Sequence, residues 1–247
     1  MILRNIKTLS SKLKIYGPKQ FIKFALIESK QLVYDQYIKK SYSQNGEDII
    51  IDKLLNKKGG ETYIDIGAND PFRFNNTYRF YNKGWKGVNI EPDEYNYARL
   101  AKARPNDINL NIGIGLNEGK HIFYKFLPDT LSTFSKKNAN KYIKAGFKLI
   151  DKKKLQIRKL SYIFSTFFSD KKVSFISIDT EGYELQILKS NNWNKYRPQV
   201  ICIEYNEFIS KNQPPKERLI LRKFIEEINY RLVYSNKTNS IYEDLLS

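Results

Sequence analysis

The chain has 247 residues, 41% of them hydrophobic and 14% aromatic, which is enough for one sizeable core or two small ones. Its net charge is +17. Residues 1–40 carry nine Lys/Arg against two acids and residues 136–160 carry ten against one, so the remainder is nearly neutral. A single cysteine (Cys202) and a single histidine (His121) exclude a disulfide framework and a Cys-rich metal site.

Basic stretches of this kind attract phosphate, nucleic acid or anionic lipid. Cys202 sits in an apolar run and reads as a buried thiol, and His121 reads as structural, so Ser-His-Asp or Cys-His chemistry has little support. No apolar run approaches the roughly 18 residues of a membrane span, and the N-terminus lacks the continuous apolar stretch of a signal peptide. A cytoplasmic location is therefore expected.

Within residues 1–40, Ile2, Ile6, Leu9 and Leu13 share one helical face, with Arg4, Lys7, Lys12 and Lys14 around it. Gly17-Pro18 breaks the pattern and a second helical run follows. Two readings of this extension stay open: an accessory helical pair, or a basic amphipathic element for an inner membrane face or an anionic carrier.

Next, Ser43 is placed to cap a helix whose first turn holds Glu47 and Asp48. Residues 62–66 have strand character and run into the turn Gly67-Ala68-Asn69, where glycine allows a sharp bend and a close ligand approach. Residues 75–81 read as a helix, and 87–90 as a second strand ending in Glu91. An acid about 20 residues beyond the first turn suits the hydroxyls of a ribose.

Residues 95–103 form a helix stopped by Arg104-Pro105, and 108–112 a third strand. The run from Gly113 to Gly119 has the glycines of a phosphate loop but not its context, because 120–126 alternates like a strand. A hairpin turn through Asn117-Glu118-Gly119 is expected instead. Residues 129–148, with Ser132 and Thr133 near their start, read as a lid or substrate loop with a short helix. A strand over 155–161 and a helix over 162–168 follow.

The second chemical stretch is the apolar strand 173–178, ending in Asp179, with Glu181 heading a helix. Strand 199–205 ends in Glu204, with Asn206 just beyond. Carboxylates on strand ends serve as general bases or hold Mg2+. Asp179, Glu181 and Glu204 are thus candidate catalytic groups, Asp179 first, and Asp179, Glu204 and Asn206 a candidate metal set. A helix over 215–227 and a hairpin over 230–243 close the chain.

Strand and helix alternate five times before that hairpin. The pattern predicts one doubly wound α/β domain over 41–247 with an antiparallel edge, preceded by the extension 1–40. The first turn has one glycine, in Asp65-Ile66-Gly67-Ala68-Asn69, which argues against a pyrophosphate on a helix N-terminus and so against an NAD-dependent oxidoreductase.

These segments together resemble the FkbM family of S-adenosylmethionine-dependent methyltransferases. The resemblance rests on residues 42–48 (Tyr-Ser-Gln-Asn-Gly-Glu-Asp), 63–71 (Tyr-Ile-Asp-Ile-Gly-Ala-Asn-Asp-Pro), 75–78 (Asn-Asn-Thr-Tyr), 84–92 (Gly-Trp-Lys-Gly-Val-Asn-Ile-Glu-Pro), 131–135 (Leu-Ser-Thr-Phe-Ser), 178–184 (Ile-Asp-Thr-Glu-Gly-Tyr-Glu) and 203–205 (Ile-Glu-Tyr). It implies a Rossmann-like class I fold, a mostly parallel seven-stranded sheet with an antiparallel C-terminal hairpin. It also implies S-adenosylmethionine as cofactor. Asp65, Gly67, Ala68 and Asn69 would line its methionine part, Glu91 and Pro92 the ribose, and Asn111 with Ile112 the adenine; Gln44 and Glu47 would close the site. Many members have a second glycine where this chain has Asp70-Pro71.

Methyl transfer to a hydroxyl of a sugar, glycan or related metabolite is the expected activity, with Ser132 and Thr133 meeting the acceptor. The basic stretches would meet an anionic or lipid-linked acceptor. The alternatives are an RNA-binding protein or RNA methyltransferase, suggested by the charge, and a non-catalytic cofactor-binding scaffold. Against the RNA reading, base amino-methyltransferases usually carry Asn/Asp-Pro-Pro-aromatic where this chain has Ile178-Asp179-Thr180-Glu181-Gly182.

Overall fold

A computed structural model describes residues 40–56, 61–205 and 216–246. The expected N-terminal helices, Asn206 and the start of the 215–227 helix lie outside the described residues.

Five strands form the parallel part of the main sheet: β1 (Thr62–Ile66), β2 (Lys86–Ile90), β3 (Ile108–Leu110), β7 (Phe175–Ile178) and β8 (Val200–Glu204). β9 (Tyr230–Ser235) and β10 (Asn239–Asp244) complete it as the antiparallel hairpin, giving seven strands in the order β3-β2-β1-β7-β8-β10-β9. The strands are short and apolar because both faces are covered.

Alternation sends successive side chains to opposite layers. Ile64 and Ile66 of β1, and Ile201 and Ile203 of β8, pack on one side with α5 (Leu160–Phe167), α6 (Glu184–Lys189) and α7 (Lys216–Glu227). Tyr63, Phe175, Val200 and Cys202 point to the other, against Ile51 and Leu55 of α1 (Glu47–Leu55) and Phe80 of α2 (Tyr78–Asn82). Cys202 is fully buried there.

A second sheet was not expected. β5 (Gly119–Leu127) and β6 (Lys148–Arg158) run antiparallel, and β4 (Gly113–Ile114) joins the other edge of β6 in parallel. No β4–β5 hairpin exists, since β6 lies between them. The strand expected over 155–161 begins seven residues earlier, at Lys148, and ends at Arg158. Residues 129–148 are correspondingly no simple lid. They contain α4 (Lys136–Lys144), whose Ala139 and Tyr142 pack with Tyr124 and Phe126 of β5.

Smaller differences have local causes. α2 starts at Tyr78 because Asn75 Oδ1 accepts from the N–H groups of Thr77 and Tyr78, closing a turn where the first helical residues were expected. The N-cap position of α1 is Gly46, in a left-handed conformation; Ser43 nonetheless accepts the Asp48 N–H at 2.8 Å. No helix among the described residues is long and apolar enough to cross a membrane.

Candidate active site

Chain order reverses between β1 and β7, and in open α/β sheets ligands occupy the crevice at that point, beyond the carboxyl strand ends. A cavity of about 310 Å3 lies there. Of the expected residues, Gln44, Gly67, Ala68, Asn69, Glu91, Pro92, Ile112, Ser132, Thr133, Asp179, Glu181 and Glu204 line it.

The β1 turn is fixed by its neighbours. The N–H groups of Gly67 and Ala68 both donate to the Ile90 carbonyl, at 2.9 and 3.3 Å. Asn69 is left-handed (φ 45°), and its N–H donates to Glu91 Oε2 at 2.8 Å. The Asp93 N–H donates to Glu91 Oε1 at 2.7 Å. Burial pushes the Glu91 carboxyl up to about 8, against the pull of these two N–H groups. α3 (Glu94–Ala103) begins beside it, with Asp93 accepting from the Tyr95 and Asn96 N–H groups and pairing with Lys125 of β5 at 2.5 Å.

Three expected cofactor residues do not line the cavity. Asp65 is turned beneath the loop, where its Oδ2 accepts from Thr77 Oγ1 at 2.6 Å and Asn75 Nδ2 at 3.2 Å. Strand alternation puts it on the Tyr63 side of β1, away from Ile64 and Ile66. Glu47 is fully buried, and its carboxylate accepts from the Asn45 N–H, Asn236 and Asn239, which ties α1 to the terminal hairpin. Asn111 donates to the Glu91 and Pro92 carbonyls at 2.8 and 2.9 Å, so it supports the ribose-side loop from behind.

The acidic end of the cavity belongs to β7 and β8. Asp179 and Glu204 follow the paired residues Ile178 and Ile203, and their carboxyls hydrogen-bond to each other. Burial raises both, and Asp179 raises Glu204 further, so the pair resists carrying two negative charges. Glu181 is pushed up to about 8 by burial and by Asp179, against a hydrogen bond from the Tyr142 hydroxyl at 2.7 Å. The expected magnesium set of Asp179, Glu204 and Asn206 includes a residue outside the described ones; among the described residues no group of three or more His, Cys, Asp or Glu could hold a metal ion.

Sequence reasoning missed the buried support of the β1 loop. Arg104 is fully buried and donates to Thr77 Oγ1, the Pro71 carbonyl and Asn75 Oδ1 at 2.7–2.8 Å. It had read only as a helix stop, although Asn75 and Thr77 already stood in a recognisable motif. It also missed the role of the glycines after β3. A Cβ at Gly113 would lie 2.5 Å from the Phe134 ring, and one at Gly115 would lie 2.7 Å from the Tyr183 ring. These glycines make room for aromatic walls of the cavity, not for a phosphate.

The methyltransferase FkbM domain model matches residues 65–232. The chain belongs to this family. Its sheet is that of the class I S-adenosylmethionine-dependent methyltransferases, and the FkbM domain here is a methyltransferase of that kind. No curated protein matches the chain. Among solved structures, fibrillarin from Methanococcus jannaschii, a pre-rRNA processing protein, is 13% identical, with 82% of this chain and 76% of that one covered and a TM-score of 0.44. A TehB-like S-adenosylmethionine-dependent methyltransferase from Corynebacterium glutamicum is 9% identical, with 89% and 98% covered and a TM-score of 0.38. Neither bears on what this FkbM domain acts on.

The cavity suits S-adenosylmethionine by its own chemistry. Gly67 and Asn69 bring backbone to its edge, Glu91 stands pinned with both oxygens at the wall, and Ile112, Ile114 and Phe123 supply apolar surface. Seven carboxyl groups and a single arginine are among the lining side chains; burial favours the protonated form of several, and their oxygens can accept from an ammonium or face a sulfonium.

Proposed function

We propose that this FkbM domain transfers a methyl group to a hydroxyl of a sugar, glycan or related polyhydroxylated metabolite. The observation that carries the reading is the acidic end of the cavity, where Asp179, Glu181 and Glu204 meet. A hydroxyl must lose its proton as it is methylated, and carboxylates that burial has made more basic are suited to take it.

S-adenosylmethionine supplies an electrophilic methyl group. The turn at Gly67–Asn69 and the carboxyl of Glu91 would hold and orient it. The carboxyl groups at the acidic end would take the proton that the acceptor hydroxyl gives up as it is methylated.

The same observation weakens the RNA alternative. The +17 charge favours an anionic partner, yet the cavity wall has seven carboxyl groups to one arginine and, even where burial keeps them protonated, these supply no cation for a phosphate backbone. The basic charge stands elsewhere, for example on the exposed Lys136, Lys144, Lys148 and Lys154 of α4 and β6. That surface is read as meeting the anionic part of a carrier or an anionic membrane, outside the reacting centre. Peripheral contact at an inner membrane face follows from this reading.

The test is a methyl-transfer screen with labelled S-adenosylmethionine against neutral glycans, lipid-linked glycans and RNA. Label in a glycan fraction supports the proposal. Label in RNA alone, with a steep salt dependence, replaces it with the alternative. Cofactor binding without transfer to any acceptor favours the scaffold reading.

A further inference from the structure

Glu181 is held in an unusual way. Its backbone is left-handed (φ 57°), a conformation a non-glycine residue keeps only when its surroundings impose it. Three side chains between β5 and β6 impose it here. Asn138 Nδ2 and Thr133 Oγ1 donate to the Glu181 carbonyl at 2.8 and 3.1 Å, and the Tyr142 hydroxyl donates to its Oε2 at 2.7 Å.

The fit is close. A Cβ on Gly182 (φ 94°) would lie 1.9 Å from Asn138 Nδ2, so glycine follows Glu181 because α4 presses there. Tyr142 is itself buried, with its ring edge-on to Phe126 and Phe147, so its hydroxyl has little freedom to turn away. None of these contacts is needed to build the main sheet, because β7 is already paired on both sides as far as Ile178. A second sheet, its helix and a strained residue converge on one carboxylate in the cavity wall.

We infer that Thr133, Asn138 and Tyr142 form a clamp that presents the Glu181 carboxylate to the cavity as the proton acceptor of methyl transfer, with Tyr142 its positioning residue. This rests on the methyl-transfer reading above and selects Glu181 over Asp179. Glu181 is the carboxylate that α4 and its flanking residues hold in the cavity wall, and the Tyr142 hydroxyl on it stabilises the charged form that takes up a proton. In the step, the acceptor oxygen forms its bond to the methyl carbon, the electron pair of the breaking carbon–sulfur bond goes to sulfur, and the hydroxyl proton goes to Glu181.

The experiment is a carbon-detected NMR titration of the full chain with 13C-labelled glutamate, without cofactor. The Glu181 signal is assigned by its loss in Glu181→Gln. Tyr142→Phe keeps the buried ring and removes only the hydroxyl. The Glu181 signal should titrate about one pH unit higher in the Phe variant than in the wild type, because a donor to the charged form is lost. On an acceptor from the glycan screen, the acid limb of the rate profile should move upward with it.

Asn138→Ala provides a second reading should Tyr142→Phe fail to fold: the Gly182 amide should exchange with solvent faster than in the wild type. Superimposable Glu181 titrations in wild type and Tyr142→Phe overturn the clamp, as does an unchanged rate profile. Calorimetry with S-adenosylmethionine separates the two levels. A folded wild type that binds none overturns the methyl-transfer reading itself, whatever Glu181 does.

Discussion

A Cβ on Gly67 would lie 1.8 Å from the carbonyl oxygen of Asp179. The two residues end β1 and β7, so the turn that approaches the cofactor and the strand that carries the acid are in direct backbone contact. The Asp179 N–H also donates to the Ile66 carbonyl at 2.9 Å. Gly67 has φ 84° besides, so an added side chain is opposed both by the backbone of Asp179 and by its own conformation. Gly67→Ala should cost at least about 1–3 kcal/mol of stability and abolish S-adenosylmethionine binding at concentrations that saturate the wild type. Chemical denaturation and calorimetry on the same preparation check both parts. Wild-type binding by the variant would mean that the two strand ends separate freely.

Glu91 links the site to the pH dependence of stability. Its folded-state value of about 8 lies above the ordinary 4.5, so the folded chain holds a proton that the unfolded chain releases. Its contribution is fully present below about 4.5 and is lost as pH rises through about 8. Ionising it in the folded state costs on the order of a few kcal/mol. Glu91→Gln should therefore flatten the fall in thermal midpoint between pH 5 and 9, while weakening cofactor binding because an amide cannot accept from both the Asn69 and Asp93 N–H groups. An unaltered pH dependence in the variant would show that Glu91 ionises freely.

The parts of this architecture that the sequence made legible are those where local pattern and tertiary role coincide. β1, β2, β7 and β8 are buried on both faces, so they appear as short apolar runs, and each stops at the residue that enters the cavity: Gly67, Glu91, Asp179 and Glu204. The terminal hairpin was equally plain from its two strands and polar turn. The β5–β6 sheet was not, because its strands pair across an insertion that contains α4 and because Lys152–Lys154 hide the alternation of β6. Asp65 illustrates a subtler limit. Its position in the motif was clear and alternation sets the side of β1 that it faces, but the partners that occupy it there, Asn75, Thr77 and through Thr77 Arg104, come from later in the chain.

That buried group makes a prediction of its own. Arg104 is wholly enclosed, and Thr77 stands between its guanidinium and the carboxylate of Asp65. Burial pushes the Asp65 carboxyl up while the positive charge of Arg104 pulls it down, so each ion is tolerable largely because of the other. Removing one alone leaves a buried charge uncompensated, at about 3–5 kcal/mol. Asp65→Asn and Arg104→Met should each be strongly destabilising, and the double variant less so than their sum. Urea denaturation of the four proteins checks this; strict additivity would mean that the charges do not interact. Cofactor affinity should fall in both single variants, because the loop they support holds Ala68 and Asn69 at the cavity.

The Asp179–Glu204 pair bears on metal dependence and stability together. Burial and mutual repulsion oppose a second negative charge on Asp179 and Glu204, and among the described residues no group of three or more His, Cys, Asp or Glu could hold a metal ion. Chelation with EDTA should therefore leave the thermal midpoint and S-adenosylmethionine affinity unchanged, and added Mg2+ should not raise the midpoint. The pair also follows the linkage worked out for Glu91. Burial holds the Asp179 carboxyl above its ordinary 3.8, so its contribution to stability is present below that pH and declines as the group ionises. Asp179→Asn retains a polar partner for Glu204 and carries no charge. Its thermal midpoint relative to wild type should be higher at pH 8 than at pH 4. A magnesium-dependent rise in the wild-type midpoint that disappears in Asp179→Asn would instead establish a metal at these strand ends.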